Sequence, residues 1–222
     1  MIEVSNIQKR YGKKPVLNDI SFKLNCGESA AIVGRNGCGK TTLMQILAGI
    51  EKPDEGKIKY FGKDVLKEKV YFNRFCGYVP QETPLMEELS VKDNLKLWGA
   101  KHSPVYERVL DEFHLREMMK MPVSRLSGGM KRRLGIACAL AQQPPVLLLD
   151  EPTTALDLYY KDSIGQWLLK FKRMNGMIVM ATHDEKEILS CDRCFVMKNG
   201  TLKVLEKAAF NIEVIRNMLI EE

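Results

Sequence analysis

Residues 34–41 read Gly-Arg-Asn-Gly-Cys-Gly-Lys-Thr, a G-x-x-x-x-G-K-T run suited to holding phosphate. Gly34, Gly37 and Gly39 let the chain curl so that successive backbone N–H groups, including those of Asn36, Cys38 and Thr42, converge on one anion. Lys40 offers a point charge to β- and γ-phosphates, and Thr41 offers a hydroxyl to Mg²⁺. The apolar run Ser29–Val33 just before the loop predicts a buried strand. Just after it, Leu43, Ile46, Leu47 and Ile50 fall at the spacing of one helical face, and the helix is expected to end near Gly49. Strand, loop and helix in that order put a partially positive helix N-terminus behind the phosphate.

A second chemical element lies far along the chain. Val146–Leu149 is wholly apolar and reads as a buried strand, and Asp150 and Glu151 emerge at its end. Downstream of a phosphate loop, Asp150 suits the aspartate that orients Mg²⁺. Neighbouring side chains of an extended segment point opposite ways, so Glu151 is free for a different task, that of general base for water.

These groups need a scaffold. The 222 residues carry 34 Lys+Arg and 28 Asp+Glu, a net charge of +6 that is too mild and too dispersed to argue for nucleic acid. An apolar fraction of 45% is that of a globular chain, enough for one domain of this length. Strands are expected over Met1–Ile7 and Ile20–Leu24, separated by the turn-rich Gly12–Asn18, and again over Lys57–Phe61 and up to Tyr78–Val79. Between Glu82 and Gln143 the pattern turns helical. Ser90 is set to cap one helix with Asp93 three residues on, Pro104 to open a second with Val105, Val109, Leu110 and Phe113, and a third is expected from Gly128 with Met130, Leu134, Ala137, Cys138 and Ala141 on one face. Strands resume at Met177–Ala181, Phe195–Met197 and Leu202–Leu205, with a helix near Tyr159–Met174 and a weakly amphipathic segment over Ala208–Ile220. The fold class is therefore α/β, a sheet core interrupted by a helical insertion. The longest apolar run, Ile136–Ala141, is far below the roughly 20 residues that span a bilayer. Met1–Lys14 lacks the apolar stretch of a secretory signal, so the six cysteines are read as reduced thiols. Cys191 and Cys194 form a CxxC, but no second pair accompanies it and His183 is the only nearby candidate ligand; buried structural thiols are the reading preferred over zinc.

Leu126-Ser127-Gly128-Gly129-Met130 stands about twenty residues before the Asp150 strand. Together with the phosphate loop it resembles the signature of the ATP-binding subunits of ABC transporters, and the resemblance covers essentially the whole chain. It implies a P-loop NTPase (RecA-like) core over 1–81 and 144–222, with an N-terminal antiparallel β subdomain, and an inserted helical subdomain over 82–143. It implies further roles by position: Tyr11 stacking on adenine, Gln81 contacting Mg²⁺ and the attacking water, Asp157 of Ala155-Leu156-Asp157 linking two sites across a dimer, and His183 contacting the γ-phosphate. Ser127, Gly128 and Gly129 are implied to act in trans on the nucleotide of a second ATP-binding subunit. Met130 departs from the family's commoner Gln. Arg125, Lys131, Arg132 and Arg133 are read as a solvated helix face that helps attract nucleotide. Cys38, beside Lys40 and near a helix N-terminus, is expected to be a reactive thiol that MgATP protects.

With ATP and Mg²⁺ as its ligands, such a subunit would sit on the cytoplasmic face of the cell membrane, paired with a second ATP-binding subunit and with separate transmembrane permease subunits, and with no nucleic acid partner. Met86, Leu89 and Trp98 are open to two readings, permease docking or core packing. The short tail after Leu205 makes export the expected direction. A soluble ABC-type ATPase acting on ribosome or DNA is the alternative.

Overall fold

The runs Ser29–Val33, Val146–Asp150 and Met177–Ala181 are buried at every position, which is the pattern of strands covered on both faces. A computed structural model of the chain, describing residues 1–82, 84–99, 106–140, 143–154, 156–207 and 211–220, makes them β3, β7 and β8 of one sheet. With β6 (Cys76–Val79), β9 (Arg193–Lys198) and β10 (Thr201–Glu206), the order is β10-β9-β3-β8-β7-β6. All neighbours are parallel except the β10 edge.

Alternation along these strands divides the apolar side chains between two cores. Ala31, Val33, Leu147, Leu149, Ile178 and Met180 face one; Ala30, Ile32, Val146, Leu148, Met177, Val179 and Ala181 face the other. The first is covered by α3 (Val91–Leu97), α4 (Tyr106–Glu112), α5 (Gly128–Leu140), α6 (Leu158–Arg173), α7 (Glu185–Ser190) and α8 (Ile212–Ile220). The second is covered by α1 (Lys40–Leu47), α2 (Val70–Phe75) and a four-stranded antiparallel sheet. That sheet runs β2-β1-β4-β5, from Lys14–Leu24, Ile2–Tyr11, Glu55–Tyr60 and Lys63–Asp64. Among the described residues, the segment between β6 and β7 holds α3, α4 and α5 with two short 3-10 turns, helical as the sequence suggested, and it shares its core with the sheet. Ser90 caps α3 as expected, accepting from the Asp93 N–H at 3.1 Å.

Several expectations need correcting. β1 and β2 are longer than read, and the turn shrinks to Gly12-Lys13. The pairing shifts register beside Asn6 (φ 52°) and Asp19 (φ 54°), where Asn6 Nδ2 donates to Asp19 Oδ1 at 2.6 Å, so the apolar alternation is broken midway. Ile50 is not on the α1 face: Gly49 turns left-handed (φ 72°) after the helix, and Ile50 is 66% exposed. The six-residue helices α2 and α7 were not anticipated, being too short to show a period. Pro104, Val105, Ala141 and residues 208–210 lie outside the described residues.

Cys191 and Cys194 are fully buried, and Cys138 nearly so. Burial pushes all three thiols up to about 12. At pH 8 a fast thiol reagent should therefore label the exposed Cys26 first and these three only on unfolding, counted by mass spectrometry with and without denaturant.

Candidate functional site

Parallel pairing brings four strand ends to one edge. Leu149 is level with Val79 and Met180, and Asp150 and Ile32 are both level with Ala181. The chain beyond them is stitched on by Glu151 N–H to Ala181 O (2.8 Å) and Thr182 N–H to Ile32 O (3.2 Å). After β3 the glycine loop curls back, with Cys38 N–H on Arg35 O at 3.2 Å and Leu43 N–H on Gly39 O at 2.9 Å. Gly39 sits at φ 109°, which a side chain would strain. Lys40 lies across the loop, donating to Gly34 O at 2.8 Å and Arg35 O at 3.3 Å.

The result is a cleft of about 670 Å³. Asn36, Gly37, Gly39, Lys40, Thr41 and Thr42 line it from the loop and α1; Gln81, Asp150, Glu151 and His183 line it from the strand ends; Tyr11 closes it from the antiparallel sheet. Tyr11 is half-exposed, with Lys9 Nζ 5.3 Å from its ring centre. Val16, which no sequence signal marked, lines it too. Asp150 is 2% exposed. Burial pushes its carboxyl above the usual range, against the lowering effect of its hydrogen bond to Thr41. Its Oδ2 is buried without a partner among the described residues. A carboxylate oxygen left open beside a threonine hydroxyl, with Gln81 on the same cleft, is the hard oxygen set that magnesium takes. Glu151 sits at φ 50°, its Oε1 3.4 Å from His183 Nδ1 and its Oε2 accepting from Thr154 Oγ1 at 3.1 Å.

The His183 backbone is anchored on both sides. Thr182 Oγ1 donates to Glu187 and accepts from the Asp184 N–H at 3.0 Å; Asp184 caps α7 and pairs with Lys161 at 2.9 Å. Glu187 was not marked by the sequence; burial raises its pKa.

Other candidates lie outside the cleft. Cys38 is half-buried, and its sulfur packs toward the second core beneath Gly34. Ser127 accepts from the Met130 N–H at 3.3 Å; at the start of α5 Gly128 is exposed and Gly129 half-buried. Met130 packs on the first core, so the unusual fifth residue is an apolar anchor. Asp157 caps α6 through the Tyr160 N–H at 3.0 Å; Ala155 lies outside the described residues. The solvated basic face is also corrected. Lys131 pairs with Glu87 at 2.5 Å, but Arg132 and Arg133 are buried, 5% and 4% exposed. Arg133 donates to Phe113 O at 3.1 Å and stacks 3.9 Å from the Tyr160 ring centre. Arg132 is bonded to main-chain carbonyls on both sides of the cleft floor.

A parallel sheet with a glycine loop after one strand and acids and a histidine after its neighbours defines a P-loop nucleotide-binding fold. The chain belongs to the ABC transporter family, whose profile matches residues 17–154. It is 38% identical over 216 residues to the sulfate/thiosulfate import ATP-binding protein CysA of Pseudomonas putida, covering 91% of this chain and 65% of that protein. It is 36% identical over 214 residues to the Nod factor export ATP-binding protein I of Sinorhizobium fredii, covering 92% and 62%. The chain thus spans just under two thirds of the length of these curated relatives. A solved dimer of an ATP-binding cassette in a post-hydrolysis state, bound to ADP and phosphate, superimposes with a TM-score of 0.87 at 25% identity, covering 95% of this chain and 100% of that one. Among the described residues no helix is long and apolar enough to cross a membrane.

The loop tolerates no side chain at its first position. A Cβ on Gly34 would lie 2.5 Å from both Cys38 Sγ and the Met197 carbonyl oxygen of β9. Gly34→Ala should cost about 1–3 kcal/mol in thermal or urea unfolding. It should also weaken binding of a fluorescent ATP analogue roughly ten-fold or more.

Proposed function

We propose that this chain binds and hydrolyses ATP, and that in a dimer with a second ATP-binding subunit it powers separate transmembrane permease subunits. The observation that carries this is the convergence of Lys40, Asp150, Glu151 and His183 on one cleft. Tyr11 stacks on adenine. The backbone N–H groups of the loop, from Gly34 through Gly39 and on to Thr42, cradle the phosphates, and Lys40 leaves its carbonyl partners for the β- and γ-phosphates. Thr41, Asp150 and Gln81 hold magnesium, which when bound neutralises phosphate charge. Glu151 takes the proton of the attacking water, and His183 holds the γ-phosphate. The 3.4 Å contact between these two side chains supports giving them neighbouring roles at one phosphate.

Ser127, Gly128 and Gly129 do not line the chain's own cleft, and in this proposal they cap the γ-phosphate of the partner's nucleotide. The Ser127 oxygen accepts from Met130 and keeps its own O–H to donate. ATP thereby favours the closed dimer, with Asp157 linking the two sites. Residues 82–143 act as the inserted helical subdomain that carries the signature. The dimeric cassette bound to ADP and phosphate supports the pairing and the hydrolysis. Met86, Leu89 and Trp98 are exposed to 56%, 38% and 41%, which favours permease docking over core packing. The subunit works on the cytoplasmic face of the cell membrane. Export is the proposed direction, supported by the Nod factor export relative; import is the second reading, favoured by the sulfate/thiosulfate import relative.

Glu151→Gln should bind MgATP with near-normal affinity, release phosphate at under about 1% of the wild-type rate, and elute as an ATP-bound dimer. Turnover near wild type would remove Glu151 from the role of base. His183→Ala should also lose most turnover, measured in the same phosphate-release assay.

A further inference from the structure

Arg132 occupies the space between two segments that the chemistry needs and that lie far apart in sequence. From α5 its Nε donates to Pro152 O at 3.0 Å, its Nη1 to Pro80 O at 2.5 Å and Gln81 O at 3.3 Å, and its Nη2 to Asp150 O and to Glu151 O, the latter at 2.8 Å. Five main-chain carbonyls thus meet one planar fork. A lysine, with three donors on one tetrahedral nitrogen, cannot reproduce that geometry.

The bonds fix a backbone that has reason to move. Glu151 is left-handed at φ 50°, a conformation that side chains rarely adopt. The peptide before its Cα is held at both ends, by Arg132 on Asp150 O and by Ala181 O on the Glu151 N–H. The peptide after it has no N–H, because residue 152 is proline. Its carbonyl is held by Arg132, with Thr154 N–H adding a longer bond of 3.3 Å. The same guanidinium holds the carbonyls of Pro80 and Gln81. Arg132 itself sits on the helix that begins just after Ser127, about one turn from the signature glycines.

We infer that Arg132 is a positioning residue for hydrolysis, setting the Glu151 and Gln81 backbones against each other and tying both to the signature helix. This rests on the proposed ATPase reading. A signature helix engaged on the partner's nucleotide then carries the geometry of the chain's own water site with it.

Steady-state phosphate release and nucleotide binding on the full chain test this with Arg132→Lys. Expected are a fall in kcat of ten-fold or more, since small misplacements of a base cost that much, with KM and the ATP Kd within about two-fold of wild type. In the Glu151→Gln background, where the carboxylate it orients is gone, Arg132→Lys should cost less than two-fold further. Arg132→Gln, which buries no cation of its own, serves for both measurements if the lysine variant loses its fold, judged by ATP binding and melting. Unchanged kcat, an equal loss in binding, or a full additive loss in the Glu151→Gln background would make Arg132 a structural residue and overturn the inference. Equal turnover in wild type and Glu151→Gln would instead sink the hydrolytic reading, and the inference with it.

Discussion

The site depends on β6, β7, β8 and β3 lying side by side and parallel. Parallel neighbours end on the same edge of a sheet, so a loop, two acids, a glutamine and a histidine drawn from distant stretches meet without any of them being close in sequence. The same arrangement demands a crossover for each strand pair, and those crossovers cover both faces of the sheet. This is why the central strands are buried at every position and why their odd and even residues feed two separate cores. The chemistry and the hydrophobic packing are consequences of one topology.

Carrying charged groups into that floor costs solvation, and the structure meets the cost in different ways. Asp150 keeps one buried oxygen open, beside the Thr41 hydroxyl and the cleft. Arg132 is satisfied by carbonyl dipoles, with the negative side chains of Asp150, Glu187 and Glu151 around it opposing the effect of burial on its pKa. Thr182 and Asp184 hold the main chain on either side of His183 by side-chain bonds, while the imidazole itself is 76% exposed. On the proposed function, an exposed side chain on a fixed backbone suits a γ-phosphate contact, because nucleotide can draw the ring without disturbing the main chain.

How much was legible follows from which signals survive burial. The glycine loop, the apolar strands and the acids at a strand end are written locally, and the structure places them as read. α5 is different. Its residues from Arg132 to Leu140 are all buried, so no hydrophobic stripe distinguishes faces, and two arginines in a row look like solvent-facing charge. Only tertiary neighbours, the carbonyls at 80–81 and 150–152 and the Tyr160 ring, reveal their burial. The β1–β2 pair was read short for a related reason, since bulges at Asn6 and Asp19 break the alternation on which a strand is recognised. The packing of the Cys38 sulfur was not legible either. Its sequence neighbours are those of an activated thiol, but its side chain turns toward the second core.

The separation between cleft and signature has a mechanical consequence. Lys40, Asp150, Glu151 and His183 line a cleft at the sheet edge, whereas Ser127 to Gly129 stand at the start of α5, apart from that cleft. On the proposed function, neither surface completes a hydrolytic site alone, and the nucleotide is the ligand that joins them. Thermodynamic linkage then requires reciprocity: whatever closure adds to nucleotide affinity, nucleotide adds to closure. Distance alone would leave each chain's signature indifferent to its own Glu151. The bonds from Arg132 to the chain around Glu151 remove that indifference, because a rigid helix cannot shift at its first turn without moving a guanidinium anchored in its second.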